Sequence, residues 1–559
     1  MPRPALLLLA GGLLPLSVLA APPAPDADDG AINLPPGFRA LVVADNLVAG
    51  RKVNNTVDKL RFITVAPNGD LYAKTYFGGI LALRDTDGDG RYDERHEFGR
   101  GGGTGIALHD GWLYHSTNDD VFRYRITPGE LVPSGPPELV VGGLPNGGNH
   151  AAKVFAFDDA GHLLVEIGSP ANVYADGDRT ATAKGKDATE YLKTHGGFWR
   201  FDADRSNQTF ADGRHMTTGH RHVLSLAWQP TARAFYFVMM GRDRLSIVAP
   251  EFYDDLDNAE RVAEEMHELR EGLNVGWPYT YWDPIKQARM VAPEFGGDNR
   301  KRDDNPLYGK PVIAFPAHWA PLQMTTYTGA QFPAHYRGGF FVALHGSWNR
   351  APRSQAGYKI VFVPCDDAGR PTGAYETFAD GFSGLDEFTD PGAARFRPGG
   401  VAVGPDGSLY VSETEKGRIW RILYTGETSP AGANKTPGAP GAQTVPTIGA
   451  DTPGGKIYLR VCAACHMPNG GGVPSMQPPL AGSPVVAGDT RLLLNVILQG
   501  PAAVLPADRP KFGNVMPPFG AVYTDAEIAS LANYLRANFA SGAPTVTPDE
   551  VKALRPPQP

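Results

Sequence analysis

Val401-Ala402-Val403-Gly404-Pro405-Asp406-Gly407-Ser408-Leu409-Tyr410-Val411 is an apolar strand, a turn of Gly, Pro and Asp, and a second apolar strand. The same unit stands near the other end as Phe62-Ile63-Thr64-Val65-Ala66-Pro67-Asn68-Gly69-Asp70-Leu71-Tyr72. Looser copies run from Ile106 to Tyr114, Val154 to Val165, Leu224 to Val238 and Leu322 to Leu344. A hairpin that returns at long intervals marks a repeat architecture, and six copies between residues 30 and 424 allow roughly 65 residues each. That is room for four strands with their loops. Stacking six such sheets radially covers their faces and protects their edges, so residues 30–424 predict an all-β, six-bladed propeller. A sandwich and a β-helix are the alternatives. The chain's 67 Gly and 51 Pro suit short strands with many turns. One stretch breaks the pattern: Asp255 to Gly272 (DLDNAERVAEEMHELREG) predicts a helical insertion.

Outside the repeats the composition changes. Residues 425–452 are rich in Pro, Gly, Thr and Ala, as expected of a flexible linker. Met1 to Ala20 (MPRPALLLLAGGLLPLSVLA) joins Arg3, an apolar run and small residues near position 20, which predicts a secretory signal peptide. The other reading of that stretch is a membrane anchor, though Gly11, Gly12 and Pro15 interrupt it. No other segment approaches a membrane span. A net charge of −8 with scattered Lys and Arg argues against a nucleic-acid partner.

Residues 453–541 carry a second domain, followed by a Pro-rich tail over 542–559. Two of the three cysteines fall in Cys462-Ala463-Ala464-Cys465-His466. This C-x-x-C-H run is the attachment signature of c-type haem. Two thiols one helical turn apart form thioethers to the porphyrin edge, and His466 then faces the iron. Met516, in Asn514-Val515-Met516-Pro517-Pro518-Phe519, is the candidate sixth ligand, on a loop stiffened by two prolines. Met467 is too close to His466, and Met476 lies in a Pro/Gly loop too near the first ligand. Thr524 and Glu527 form a capping box, and Ile528, Leu531, Leu535 and Phe539 a helical apolar stripe. With the Pro478-to-Ser483 loop, these features resemble a class I cytochrome c domain, small and all-α. Covalent attachment completed outside the cytoplasm agrees with an exported, periplasmic or secreted protein. The third cysteine, Cys365, follows an apolar strand and reads as a packed thiol.

Asp85-Thr86-Asp87-Gly88-Asp89-Gly90-Arg91-Tyr92-Asp93-Glu94 sets oxygens at alternate positions around a glycine turn. Asp85, Asp87, Asp89 and Asp93 make a candidate calcium loop like the first half of an EF-hand, with His96 where a bidentate Glu is expected. An acidic β-turn without metal is the alternative.

Asn149-His150, Gly219-His220-Arg221-His222, Gly276-Trp277-Pro278, Ala343-Leu344-His345-Gly346-Ser347-Trp348-Asn349-Arg350 and Arg395-Phe396-Arg397-Pro398 occur in that order along the repeats. In these motifs the propeller resembles the soluble pyrroloquinoline quinone (PQQ)-dependent sugar dehydrogenases, of the L-sorbosone dehydrogenase type. The resemblance implies PQQ and a calcium ion as cofactors and His150 as the catalytic base. It implies Arg221, Arg350, Arg395 and Arg397 as cation partners of the cofactor, with Arg221 also catalytic. His318 and Trp319 would line the pocket, and the backbone of Gly241 and Arg242 would hold calcium. An imidazole suits proton abstraction near neutral pH, and guanidinium groups suit a tricarboxylate. Two positions depart from the glucose-oxidising members: Ser169 stands in place of an Asp that orients the base, and His222 in place of an Asn. The joined reading is a quinohaemoprotein oxidising a sugar or related alcohol or aldehyde. Electrons would pass through the haem to an external cytochrome, copper protein or quinone pool. The rival is a non-catalytic propeller that binds a partner or polysaccharide and carries an electron-transfer cytochrome.

Overall fold

The computed structural model describes residues 23–146, 148–427, 448–466, 470–472, 477–509, 512, 516–540 and 542–556. The expected signal segment, residues 428–447 of the linker, Met467, Met476 and the side chain of Cys465 lie outside the described residues. Each hairpin copy becomes the two inner strands of one antiparallel sheet, giving six blades. Their first strands are Leu60–Val65, Ile106–His109, Phe155–Phe157, Val223–Gln229, Pro321–Thr326 and Pro398–Val403. Each packs beside the next, and the sixth returns against the first. They enclose a channel of about 430 Å³ lined by groups such as Ile63, Ala107, Ala156, Leu226, Met324 and Ala402. The ring closes through Gly37–Ala44, which pairs antiparallel with Ile419–Glu427 as the outer strand of blade 6. Blades are covered on both faces by their neighbours, so their second strands are mostly apolar and largely buried. In Phe340–His345 the first five side chains are fully buried, each contributing about 1.5–3 kcal/mol where the side chain is large.

The helical insertion expected over Asp255 to Gly272 is confined to Asp255–Glu260, which Asp254 caps. Glu264–Glu268 is instead the third strand of blade 4, paired with Ala234–Met239. Its charged side chains look like a helix surface but are buried against distant partners. Glu265 meets Arg289 at 2.6 Å and His267 at 3.1 Å. Glu264 accepts from the Gly241 and Ala320 amides at 2.8 and 3.2 Å. Tertiary pairing overrides local pattern here.

The second domain is helical. A helical run from Pro453 to His466 crosses Asp525–Phe539. Gly454 makes the crossing possible, since a Cβ there would lie 2.1 Å from the Ser530 carbonyl oxygen. Tyr458 fills the crossing against Tyr534 and Phe539. Ile528, Leu531, Leu535 and Phe539 are buried along one stripe, and Thr524 and Glu527 form the capping box. Thr490–Gln499 completes the core. Residues 542–556 are no detached tail: Pro548–Leu554 is a helix whose Val551 is fully buried in this core, and Arg555 holds Asp525 at 2.6 Å. Cys365 packs beside the blade 4 and 5 core, and burial pushes its thiol up to about 12. No helix among the described residues is long and apolar enough to cross a membrane.

Candidate active site and haem centre

In an antiparallel blade the start of the first strand and the end of the second lie on the same face. The candidate groups gather there. Lys59, His222, Ala320 and Arg397 immediately precede first strands; Ser169, Asp243, His345 and Glu415 stand at or just beyond the ends of second strands.

His150 is buried, and its Nδ1–H donates to the Ser169 carbonyl at 2.7 Å, with Ser169 Oγ at 3.2 Å. Ser169 Oγ in turn donates to the Ala171 carbonyl at 2.9 Å, leaving a lone pair toward the ring. This fixes the tautomer whose Nε2 is an acceptor. Burial, then Arg221 and His222, holds His150 well below the usual imidazole range, so it is a neutral base. His222 stacks on it with ring centroids 4.7 Å apart.

Arg221 pairs with Asp243 at 2.8 Å, and its Nε has no hydrogen-bond partner although buried. Asp243 is a hub. It accepts from Asn349 Nδ2 at 2.9 Å, lies 3.5 Å from His318 Nδ1, and exchanges hydrogen bonds with Asn172 at 2.8 and 3.0 Å. Burial would raise its carboxyl, but Arg221, His318 and Arg179 hold it well below the usual range. His318 Nε2 donates to the Asn258 carbonyl at 2.7 Å, which ties blade 5 to blade 4.

A second cationic group faces it across the ring. Arg397 is buried, donating to the His345 and Gly346 carbonyls at 3.3 and 2.6 Å. Lys59 pairs with Glu415 at 2.9 Å, and burial lowers its ammonium against the pull of Glu415. The structure therefore gathers His150, Arg221, His318 and Arg397 of the residues expected from sequence. It does not gather the other two arginines. Arg350 spends its guanidinium on the Ala259, Ala317 and Ser354 carbonyls, and Arg395 is exposed beside Phe396. Lys59 and Asp243 carry no local signature. Their only signal is position, at the strand ends that line this face.

Several buried polar atoms here lack partners: Arg221 Nε, His222 Nδ1, Asn349 Oδ1 and Glu166 Oε2. Such orphans fit a polar ligand at the mouth of the ring. The turn expected to hold calcium is braced. Glu264 holds the Gly241 amide, and Arg242 donates to the Asp243 carbonyl and pairs with buried Glu294. Among the described residues, nothing donates a hydrogen bond to the carbonyls of Gly241 or Arg242. Two free carbonyls on a rigid turn fit a hard cation.

In the helical domain His466 ends the first helix, buried, with its Nδ1–H donating to the Pro478 carbonyl at 2.9 Å. That bond leaves Nε2 for iron and is the outer-shell support such ligands need. Burial lowers the imidazole, and Arg244 of blade 4 adds to the effect. Cys462 is half-buried on the same helix. Met516 is half-buried against the domain core, on a loop pinned by the Phe519 and Gly520 amides to the carbonyls of Ile497 and Leu498 at 2.9 and 3.0 Å. In the acidic loop the carboxylates of Asp85, Asp87 and Asp89 lie within 4.8 Å of one another. Asp93 instead accepts from the Thr86 amide at 2.8 Å.

The site thus joins a six-bladed propeller, with a neutral imidazole in a cationic mouth, to a helical domain that carries C-x-x-C-H. The sequence model of the TrAA12-like family matches residues 34–425, and the chain belongs to that family. Residues 449–535 match the family described as cytochrome C oxidase, cbb3-type, subunit III. The chain is 30% identical over 210 residues to the PQQ-dependent pyranose dehydrogenase of Coprinopsis cinerea, covering 30% of this chain and 28% of that one. It is 36% identical over 115 residues to cytochrome c-552 of Thermus thermophilus, covering 19% of this chain and 76% of that one. Against the first curated relatives it spans less than half their length, 48% and 23%. A solved structure of a Trichoderma reesei carbohydrate-active enzyme of family AA12 superposes with a TM-score of 0.57 at 19% identity, covering 70% of this chain and 97% of that one. That likeness shows the fold.

Proposed function

We propose that the protein is a PQQ-dependent dehydrogenase of a sugar, or of a related alcohol or aldehyde, that delivers electrons through a c-type haem to an external acceptor. The observation that carries this reading is His150, held neutral beside buried Arg221, with buried Arg397 and Lys59 across the ring, in a chain whose net charge is −8. Buried cations gathered in an acidic protein fit a small polyanion. Arg221, Arg397 and Lys59 would hold the carboxylates of PQQ, with His318 at the rim, and the Gly241 and Arg242 carbonyls would hold calcium. Arg350 and Arg395 would serve from outside that group. PQQ, when bound, supplies a two-electron acceptor for hydride leaving carbon. His150 Nε2 takes the hydroxyl proton, the Ser169 carbonyl keeps the ring turned, and Asp243 keeps Arg221 aimed into the mouth. Cys462, Cys465, His466 and Met516 would hold haem c, which supplies a one-electron carrier. The acceptor would be a cytochrome, a copper protein or the quinone pool, in the periplasm or outside the cell. The Asp85, Asp87 and Asp89 carboxylates would hold a second, structural calcium, with Asp93 shaping the turn.

The test uses the full-length haem-loaded protein, given PQQ and Ca²⁺ and then a panel of sugars, alcohols and aldehydes. The reduced haem band should rise with at least one class and should not rise when PQQ is left out. If PQQ binds by titration and no compound reduces the haem, the propeller is a binding module.

A further inference from the structure

Residues 168–196 join the second and third strands of blade 3 on the face that carries the mouth. They begin beside Ser169, which holds His150. Within them Ala175–Asp176 pairs antiparallel with Lys184–Gly185 as a small hairpin. The hairpin is pinned to the site. Asn172 exchanges hydrogen bonds with Asp243 at 2.8 and 3.0 Å, and its carbonyl accepts from Trp277 Nε1 at 3.0 Å. Phe295 packs so tightly on Gly185 that a Cβ there would lie 2.4 Å from its ring. The tip of the hairpin buries a cation. Gly177, Asp178, Arg179 and Thr180 make a turn closed by the Thr180 amide on the Gly177 carbonyl at 3.0 Å. Arg179 stands third in that turn with φ of +65°, the left-handed region that favours Gly or Asn. A buried arginine with such a backbone is costly, and it persists where its side chain is needed.

The Arg179 side chain is 8% exposed, and among the described residues its guanidinium makes one hydrogen bond, a long one to Asp178 at 3.5 Å. The Asp178 oxygens are engaged by the Asn172 and Val173 amides at 3.0 and 3.1 Å. Asp243 is bonded to Arg221 and Asn349 instead. Most of the five N–H donors of Arg179 are therefore unbonded. Burial lowers the group to about 10 against the pull of Asp178, so it is a cation at neutral pH. Its charge reaches His150 and Asp243, and Arg221 acts back on it. Arg221, Arg397 and Lys59 already match the three carboxylates of the proposed cofactor. Arg179 is a further cation, on the side of the base, where substrate must lie if His150 is to take its proton. A planar fork of donors matches a carboxylate in charge and in geometry, and a neutral hydroxyl in neither. We propose that Arg179 is a specificity-determining residue that takes a carboxylate on the substrate, so that the preferred substrates are acidic sugars of the uronic acid class. The inference rests on the dehydrogenase reading and adds the substrate class to it.

The test uses the full-length haem-loaded protein with PQQ and Ca²⁺, as wild type and Arg179→Gln. The probes are D-galacturonate and D-glucuronate, each against its neutral counterpart, D-galactose and D-glucose. By haem reduction, the wild type should favour each acid over its counterpart in kcat/KM. In Arg179→Gln that ratio should fall by roughly tenfold to a hundredfold, through KM rather than kcat, as expected for one charged hydrogen-bonded contact. Calorimetric titration of D-galacturonate into the PQQ-loaded protein should show the same loss of affinity. A wild type that treats acids no better than neutral sugars overturns the proposal, and so does Arg179→Gln with the ratio unchanged. Weaker PQQ binding in Arg179→Gln, read by fluorescence titration, also overturns it, because Arg179 would then hold the cofactor. Arg179→Gly, which suits the left-handed backbone, replaces Arg179→Gln if that variant fails to fold. Failure of the dehydrogenase reading is a separate outcome, visible as a wild type that binds PQQ but oxidises nothing. The calorimetric comparison of D-galacturonate with D-galactose then still decides the role of Arg179.

Discussion

The two domains hold their chemistry in opposite ways. The helical domain puts two thiols and the proposed iron ligand, His466, into five consecutive residues and steadies His466 with one carbonyl, that of Pro478. The propeller assembles its mouth from groups that meet only when the ring is closed. The Lys59–Glu415 pair joins residues 356 apart in sequence. The first kind of site needs one helix and one loop; the second needs every blade in place. Damage to the ring should therefore erase the propeller's chemistry and leave the haem untouched.

The closing strand gives the largest expected effect. Leu41 is fully buried in Gly37–Ala44, the strand that locks blade 6. Leu41→Asp places a charge with no partner in the core, a change on the order of several kcal/mol. Substrate oxidation should vanish while the absorbance of the attached haem keeps its wild-type shape. A variant that still oxidises substrate would mean that the mouth does not depend on ring closure.

Next come single groups within the mouth. His150→Ala should lower turnover by about 10²–10⁴ without weakening PQQ binding, since a base acts on the transition state. Arg221→Ala should do the reverse first. Loss of a charged hydrogen bond of about 1.5–3 kcal/mol weakens PQQ binding by roughly tenfold to a hundredfold, measured by fluorescence titration. The pair separates proton transfer from cofactor holding. Equal losses of binding in both variants would show that the two roles are one.

The same contrast explains what could be read before the fold was known. The C-x-x-C-H run is legible because its spacing is local, and the Thr524 cap and the Ile528-to-Phe539 stripe follow helical periodicity. The six blades are legible because each inner hairpin repeats an apolar pattern. Within the propeller site, His150, Arg221 and Arg397 are reached through short motifs, whereas Lys59 and Asp243 are not. Their meaning lies in the strand ends they occupy, and those become neighbours only through closure. Glu264, Glu265 and His267 misled for the same reason. A run of charge is a solvated helix face unless Arg289 and two amides, from elsewhere in the ring, meet it in the interior.

The smallest effect on substrate oxidation is expected at the far end of the electron path. Met516 lies on a loop held to the Thr490–Gln499 helix through Phe519 and Gly520, so its backbone has support that does not depend on its side chain. Met516→Ala should leave the haem attached, because Cys462 and Cys465 carry that bond, and His466 keeps its Pro478 contact. One axial position opens, so the weak absorption of a Met–iron bond at the red end of the spectrum should disappear, and exogenous imidazole should bind where it did not before. With an artificial acceptor that takes electrons directly from the propeller, turnover should match the wild type. Persistence of the red band would remove Met516 from the iron. Loss of turnover with the artificial acceptor would show instead that the helical domain supports the propeller's mouth, and the two sites would no longer be separable.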